Sequence, residues 1–169
     1  MVSRSLEDLY KPLKNVVVEA LGVAKQKNLK VLIICTKRSQ EEQTALWCQG
    51  RESLEEVNKL RRECGLYELK EGENKIVTWN KVSYHSTSPK AMAFDFCIGS
   101  KEHIFWDVKV DTNEDKISDY KEFADICKSL DINVEWGGDW KRKDYGHIQW
   151  KNGLNINQMK EELNDGVQY

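Results

Sequence analysis

The sequence predicts an α+β fold in which a small antiparallel sheet is flanked by helices. Helical periodicity dominates the first part of the chain, whereas beyond residue 75 the chain reads mainly as short strands with helices interspersed. That order suits α+β better than a doubly wound parallel sheet. Two strand-like runs, 92–98 and 103–110, are separated only by the turn at Gly99-Ser100-Lys101-Glu102, which fits antiparallel pairing. No internal repeat, low-complexity tract or Pro-rich linker interrupts the 169 residues, so one domain, 1–169, with a real core is expected.

The elements follow in order. Leu6, Leu9, Leu13, Val16, Val17, Ala20 and Ala24 recur at helical spacing behind Ser5 as N-cap, predicting a helix over about 6–27 that Asn28 ends. Val31-Leu32-Ile33-Ile34-Cys35 is the longest apolar run. It predicts a buried strand over 30–36 and falls far short of the roughly 18 residues a membrane span needs. Ser39-Gln40-Glu41-Glu42 has the Ser-x-x-Glu pattern of a capping box and predicts a helix to about Gln49, ended by Gly50. Ser53-Leu54-Glu55-Glu56 repeats the pattern and predicts a helix to about Glu63, with Arg61-Arg62 expected on a solvated face. A strand is expected over Lys75–Trp79 and a polar loop over Ser83–Lys90. Ile117, Tyr120, Ala124, Cys127 and Leu130 mark a helix over about 117–130. Strands near 132–136 and 147–151 flank a glycine-containing loop, and a weaker helix is expected near 156–163.

Composition narrows the function. Hydrophobic residues are 40% and charged residues 32%, as in an ordinary soluble globule, and a net charge of −2 gives no general reason to expect nucleic-acid binding. The first ten residues carry no apolar core behind their arginine, so a secretory signal is not expected. Synthesis in a cytoplasm follows, with another component needed to reach any substrate beyond the membrane. The five cysteines are odd in number and never spaced Cys-x-x-Cys, which suits free thiols.

Two of the three histidines have suggestive surroundings. His85 lies in Ser83-Tyr84-His85, ten residues before Asp95 of Ala93-Phe94-Asp95. His147 closes Asp144-Tyr145-Gly146-His147, just after Trp136-Gly137-Gly138-Asp139-Trp140. Two imidazoles and a carboxylate can hold a zinc ion and leave a fourth position for water, as catalytic zinc sites do. On the strand, Ala91, Ala93 and Asp95 share one side, and the small alanines leave room for something bulky. A strand-edge carboxylate and an exposed loop histidine are the plain alternatives. Asp144 could take a proton from the attacking water and pass it to a leaving amine, help typically worth ~10²–10⁴-fold in rate. It could equally be a turn aspartate. Arg38, at a strand's C-terminal end, could hold a carboxylate or a polarised carbonyl in its bidentate fork, or pair with Glu41 or Glu42. His103 is expected to be exposed. Trp79, Trp106 and Trp150 are expected in the core or a cleft wall rather than in a carbohydrate platform.

Four blocks occur in a fixed order: Arg-Ser-x-x-Glu-Gln-x-x-Leu-Trp-x-x-Gly-Arg from Arg38 to Arg51, Ser-x-His with Ala-x-Asp, Trp-Gly-Gly-Asp-Trp, and Asp-Tyr-x-His. Together they resemble the M15 family of zinc peptidases from about Leu6 to Trp150. The likeness is greatest to the L-alanyl-D-glutamate endopeptidases found as phage endolysin catalytic domains. The resemblance implies a zinc D-Ala-D-Ala carboxypeptidase-like (Hedgehog/DD-peptidase) fold. It implies Zn2+ held by His85, Asp95 and His147, with Asp144 as catalytic base and Arg38 stabilising the oxyanion or binding substrate. Ser83 and Gln43 would line the site, and Trp136–Trp140 would wall the cleft. An Asp at 144, where the carboxypeptidase branch usually has Glu, favours the endopeptidase branch. Two departures stand out. The family's His-x-x-Gly-x-Ala-x-Asp gap of seven is ten here, with Ser86-Thr87-Ser88-Pro89-Lys90 in the middle, and Gly146 replaces a common proline.

The implied function is hydrolysis of the L-Ala–D-Glu bond in the peptidoglycan stem peptide, as in endolysin-type wall lysis. The alternatives are a D-alanyl-D-alanine carboxypeptidase and a non-catalytic, metal-stabilised wall-binding or phage structural module. The implied partner is bacterial peptidoglycan, reached from the host cytoplasm with a membrane-permeabilising partner. A monomer without a separate wall-binding domain is expected.

Overall fold

Pro12 decides where the first long helix begins. In the computed structural model, which describes residues 2–151 together with 153, 155, 157 and 158, the predicted helix 6–27 is two pieces. A 3-10 turn, Leu6–Asp8, is capped by the Ser5 hydroxyl, and α1 runs from Lys11 to Gln26. Proline lacks an N–H and crowds the turn before it, so it is tolerated in a first turn and breaks a continuous helix. Asn28, at φ 61, ends α1 and turns the chain into β1, Val31–Cys35. Next comes α2, Gln40–Cys48, whose capping box between Ser39 and Glu42 forms in both directions. α3, Leu54–Glu63, is capped by Ser53.

Lys75–Trp79 is not a strand. It lies across the end of α2, with Ile76 N only 2.3 Å from where a Cβ on Gly50 would sit. Side chains rather than a ladder serve the backbone here: Arg51 donates to Thr78 O (3.1 Å) and Gln43 to Asn80 O (2.6 Å). Arg61 also departs from expectation. It is buried, because residues 64–70 fold back over α3 and its guanidinium donates to Tyr67 O (2.6 Å) and Gln49 Oε1 (3.0 Å). Arg62 stays exposed beside Glu68.

The remaining elements are β2 (Ala93–Gly99), β3 (Ile104–Phe105), α4 (Asp119–Leu130), β4 (Val134–Trp136) and β5 (His147–Trp150). All named strand pairs are antiparallel, in the order β1-β2-β5-β4, with β3 also on β2. The expected strand 103–110 is cut to two residues, because the chain turns away at Asp107, whose carbonyl accepts from Val110 N (3.1 Å). The helix expected near 156–163 falls outside the described residues apart from 157 and 158.

β2 separates the two faces. Phe94, Phe96 and Ile98 point into the main core, where Phe96 meets Phe123 edge-on at 4.8 Å and α1 and α4 cover the sheet. Asp95 lies on the other face. It is paired across the sheet with Cys35 on one side and His147 on the other. A bulge between Ile33 and Cys35 brings Cys35 into that row.

Candidate active site

The row Cys35–Asp95–His147 places three polar side chains on one sheet face, and a loop brings His85 onto it. His85 lies in a 3-10 turn, Tyr84–Ser86, held at both ends. The Ser83 hydroxyl accepts from His85 N (3.2 Å), and Arg38 N donates to His85 O (2.9 Å). Thr87, fully buried, closes the long loop: its hydroxyl lies 3.0 Å from Tyr84 O and 2.7 Å from Lys90 O. The ten-residue separation therefore does not part His85 from Asp95.

His85 Nε2, Asp95 Oδ1 and His147 Nδ1 form a triangle with edges of 3.1, 2.9 and 3.3 Å. The outer nitrogens fix the tautomers. His85 Nδ1 is 2.9 Å from Thr36 O, so it carries the proton and leaves Nε2 as a lone pair facing inward. His147 Nε2 donates to Gln149 Oε1 at 3.3 Å, Gln149 Nε2 donates to Glu135 Oε2 at 2.9 Å, and Lys151 pairs with Glu135 at 3.1 Å. Two lone pairs and a carboxylate oxygen thus converge, an arrangement that calls for positive charge between them. The electrostatics agree. Burial pushes the Asp95 carboxyl up, but His85 and His147 outweigh it and hold it well below the usual carboxylate range. Burial pushes His147 down, and Asp95 outweighs it to leave the imidazole raised.

Cys35 also comes near: its sulfur, His85 and Asp95 offer ligand-type atoms within 4.8 Å of one another. Its Sγ, however, is 3.5 Å from His85 Nδ1, the nitrogen facing away from Asp95. Burial raises the thiol to about 12 despite the Arg38 guanidinium nearby. The His85–Asp95–His147 triangle is the better donor set.

Around the triangle lies a cleft of about 1180 Å³ whose lining includes Arg38, Ser83, Asp144 and Trp140. Arg38 pairs with Asp95 Oδ2 at 3.5 Å and donates to Gln43 Oε1 at 2.8 Å, not to Glu41 or Glu42. Gln43 is fully buried behind Arg38 and has no surface on the cleft. Asp144 is open to the cleft, yet desolvation by the walls raises its carboxyl, opposed in part by His147. Its backbone is placed by Gly137: Asp144 N donates to Gly137 O at 3.0 Å, and a Cβ on Gly137 would meet Asp144 O at 2.3 Å. A Cβ on Gly138 would meet the Trp136 indole at 2.2 Å, so the glycine pair lets ring and loop close together. Trp140 leans on His147 with ring centroids 5.2 Å apart.

Residues 77–150 match a family described as D-alanyl-D-alanine carboxypeptidase. Over 146 residues the chain is 34% identical to the peptidoglycan L-alanyl-D-glutamate endopeptidase CwlK of Bacillus subtilis (strain 168), a match covering 84% of this chain and 73% of that relative. The chain belongs to the M15 peptidase family. The crystal structure of the Serratia marcescens L-Ala D-Glu endopeptidase ChiX shares its fold, with a TM-score of 0.53, 18% identity and 89% of each chain covered.

In this M15 peptidase, sequence reasoning missed Gln149, Glu135 and Thr36, which hold the imidazoles from behind. Gln149 was within reach of strand alternation, because it sits two residues after His147 on the same face. Thr36 acts through its carbonyl, which no sequence pattern marks. His103 is exposed as expected, meeting Phe105 edge-on with ring centroids 4.4 Å apart. Trp150 is buried, Trp79 lines the large cleft, and Trp106 lines a smaller pocket of about 340 Å³.

Proposed function

We propose that this chain is a zinc metallopeptidase that hydrolyses the L-Ala–D-Glu bond of the peptidoglycan stem peptide. The observation that carries the proposal is the donor triangle. A tetrahedral zinc with bonds of about 2.0–2.1 Å needs ligand atoms about 3.4 Å apart, close to the edges measured between His85, Asp95 and His147. The donor set of two imidazole nitrogens and one carboxylate oxygen suits zinc, and three protein ligands leave room for water. The bond assignment is carried by the identity to CwlK, which is named for that cleavage.

The chemistry that a zinc ion supplies in such a site is Lewis acidity, which polarises a carbonyl and lowers the pKa of a water to about 7. Asp144, at the cleft edge with a raised carboxyl, takes the proton from the attacking water and returns it to the departing amine. Arg38, anchored by Gln43 and Asp95, presents its guanidinium to the oxygen that becomes negative as the carbonyl turns tetrahedral. Ser83 shapes the turn that presents His85. Trp140 and His147 pack together and keep water from that side of the imidazole.

The test is digestion of purified peptidoglycan with identification of the new amino terminus. A glutamate terminus is expected, whereas release of free D-alanine alone would favour the carboxypeptidase activity that the family's description names. Asp144→Asn is expected to keep its zinc and lose about 10²–10⁴-fold in rate. His85→Ala is expected to lose the zinc itself. Undiminished lysis by either variant sinks the proposal. The endolysin setting and a membrane-permeabilising partner belong to the same proposal and rest on the motif resemblance. Expression inside a bacterium with and without a pore-forming protein tests them, lysis being expected only with the pore.

A further inference from the structure

Beside the cleft runs a ladder of alternating cations and indoles, of which Trp47, Trp79 and Lys81 reach the cleft itself. The Arg142 guanidinium lies 3.7 Å from the Trp79 ring centroid, Arg51 is 5.5 Å from Trp79 and 4.9 Å from Trp47, and Lys81 is 5.3 Å from Trp47. Trp47, Trp79 and Lys81 line the same cleft as His85, Asp95, Asp144 and His147. Trp79 is half exposed, so its indole is not there to fill a core. A sugar platform needs a free ring face, and Arg142 already covers Trp79. Arg51 spends its N–H groups on the Trp47 and Thr78 carbonyls. Arg142 and Lys81, both exposed, have no acidic partner among the described residues. A guanidinium held over an indole loses little freedom on binding and still has N–H groups to offer a planar carboxylate.

We propose that Arg142, laid on Trp79, is a specificity-determining receptor for a free carboxylate of the stem peptide, steered in by Lys81. This rests on the reading of the cleft as a peptidoglycan peptidase site. Two carboxylates share that chemistry. One is the α-carboxylate of the glutamate, left free because the chain continues through the γ-carboxyl. The other is a free carboxylate on the diamino acid that follows it.

The experiment uses the zinc-loaded full chain and three synthetic stem peptides: unmodified, amidated at the glutamate α-carboxylate, and amidated at the diamino-acid carboxylate. Arg142→Gln is expected to lower kcat/KM on the unmodified peptide about ten-fold, mostly through KM, and to have no effect on whichever amidated peptide lacks the recognised group. Arg142→Lys is expected to recover part of the loss, since charge is kept and the fork is not. An equal loss on all three peptides, or none, overturns the proposal. Binding of the same peptides to the metal-depleted full chain, followed by tryptophan fluorescence, separates this from the cleavage reading. Coupling between Arg142 and amidation without any cut keeps the receptor and rejects the peptidase, whereas cutting without coupling rejects the receptor.

Discussion

His85 uses its two ring nitrogens differently, and its surroundings decide which does what. Nδ1 is committed to Thr36 O at 2.9 Å, which leaves Nε2 for the triangle. Cys35 stands on the committed side, so Cys35→Ser is expected to keep one zinc per chain by elemental analysis; loss of the metal would make the thiol a ligand. The matching hold on His147 comes from Gln149 and Glu135. Groups behind a ligating histidine typically contribute 10–100-fold in metal affinity. Gln149→Leu is therefore expected to weaken zinc binding by about that factor in a competitive chelator titration, with the fold unchanged by circular dichroism. An unchanged affinity would leave the relay without a function. The sequence made His85, Asp95, Asp144 and His147 conspicuous as residue types in a recognisable order. It could not mark a backbone carbonyl such as Thr36 O, because every residue has one.

Between His85 and β2 lies the five-residue stretch Ser86–Lys90, and Thr87 closes it. Its hydroxyl is shared between Tyr84 O and Lys90 O, which draws the loop shut under the histidine. Thr87→Val keeps the shape and removes that bond, at a cost of about 1 kcal/mol. For a chain of this length the melting temperature is expected to fall by roughly 2–4 °C, with a parallel loss of zinc affinity. A variant that melts and binds zinc like the parent would show that the loop closes without Thr87. Elements with strong local signals are legible in the sequence: α2 and α3 follow their capping residues, and β2 falls on the largely apolar run 92–98. The two strand misreadings share one cause. Lys75–Trp79 and 103–110 have strand-like residues, but a strand needs a partner, and most of each segment meets turns or side-chain donors instead. Arg61 was misjudged because the segment that buries it lies outside its own helix.

Across the whole molecule, the triangle ties together β2, β5 and the His85 loop, while Arg38 N binds that loop to the end of β1. A ligand that binds only the folded chain stabilises it by about 2.7 kcal/mol at a hundred times its dissociation constant. Metal removal by a chelator is therefore expected to lower the melting temperature by roughly 5–10 °C and to abolish lysis, with both restored by added zinc. Calorimetry of the stripped and reloaded protein checks this, and identical melting curves would mean that the site holds no stabilising ion. Local periodicity, caps and motif order are written in neighbouring residues, so the fold class, the order of most elements and the residue types that carry the chemistry are legible along the chain. Folding is what sets Asp95 between Cys35 and His147, brings His85 onto Asp95 across ten residues and lays Arg142 over Trp79. Those depend on strand register, loop closure and side chains meeting from distant parts of the chain, and no local pattern encodes such distances.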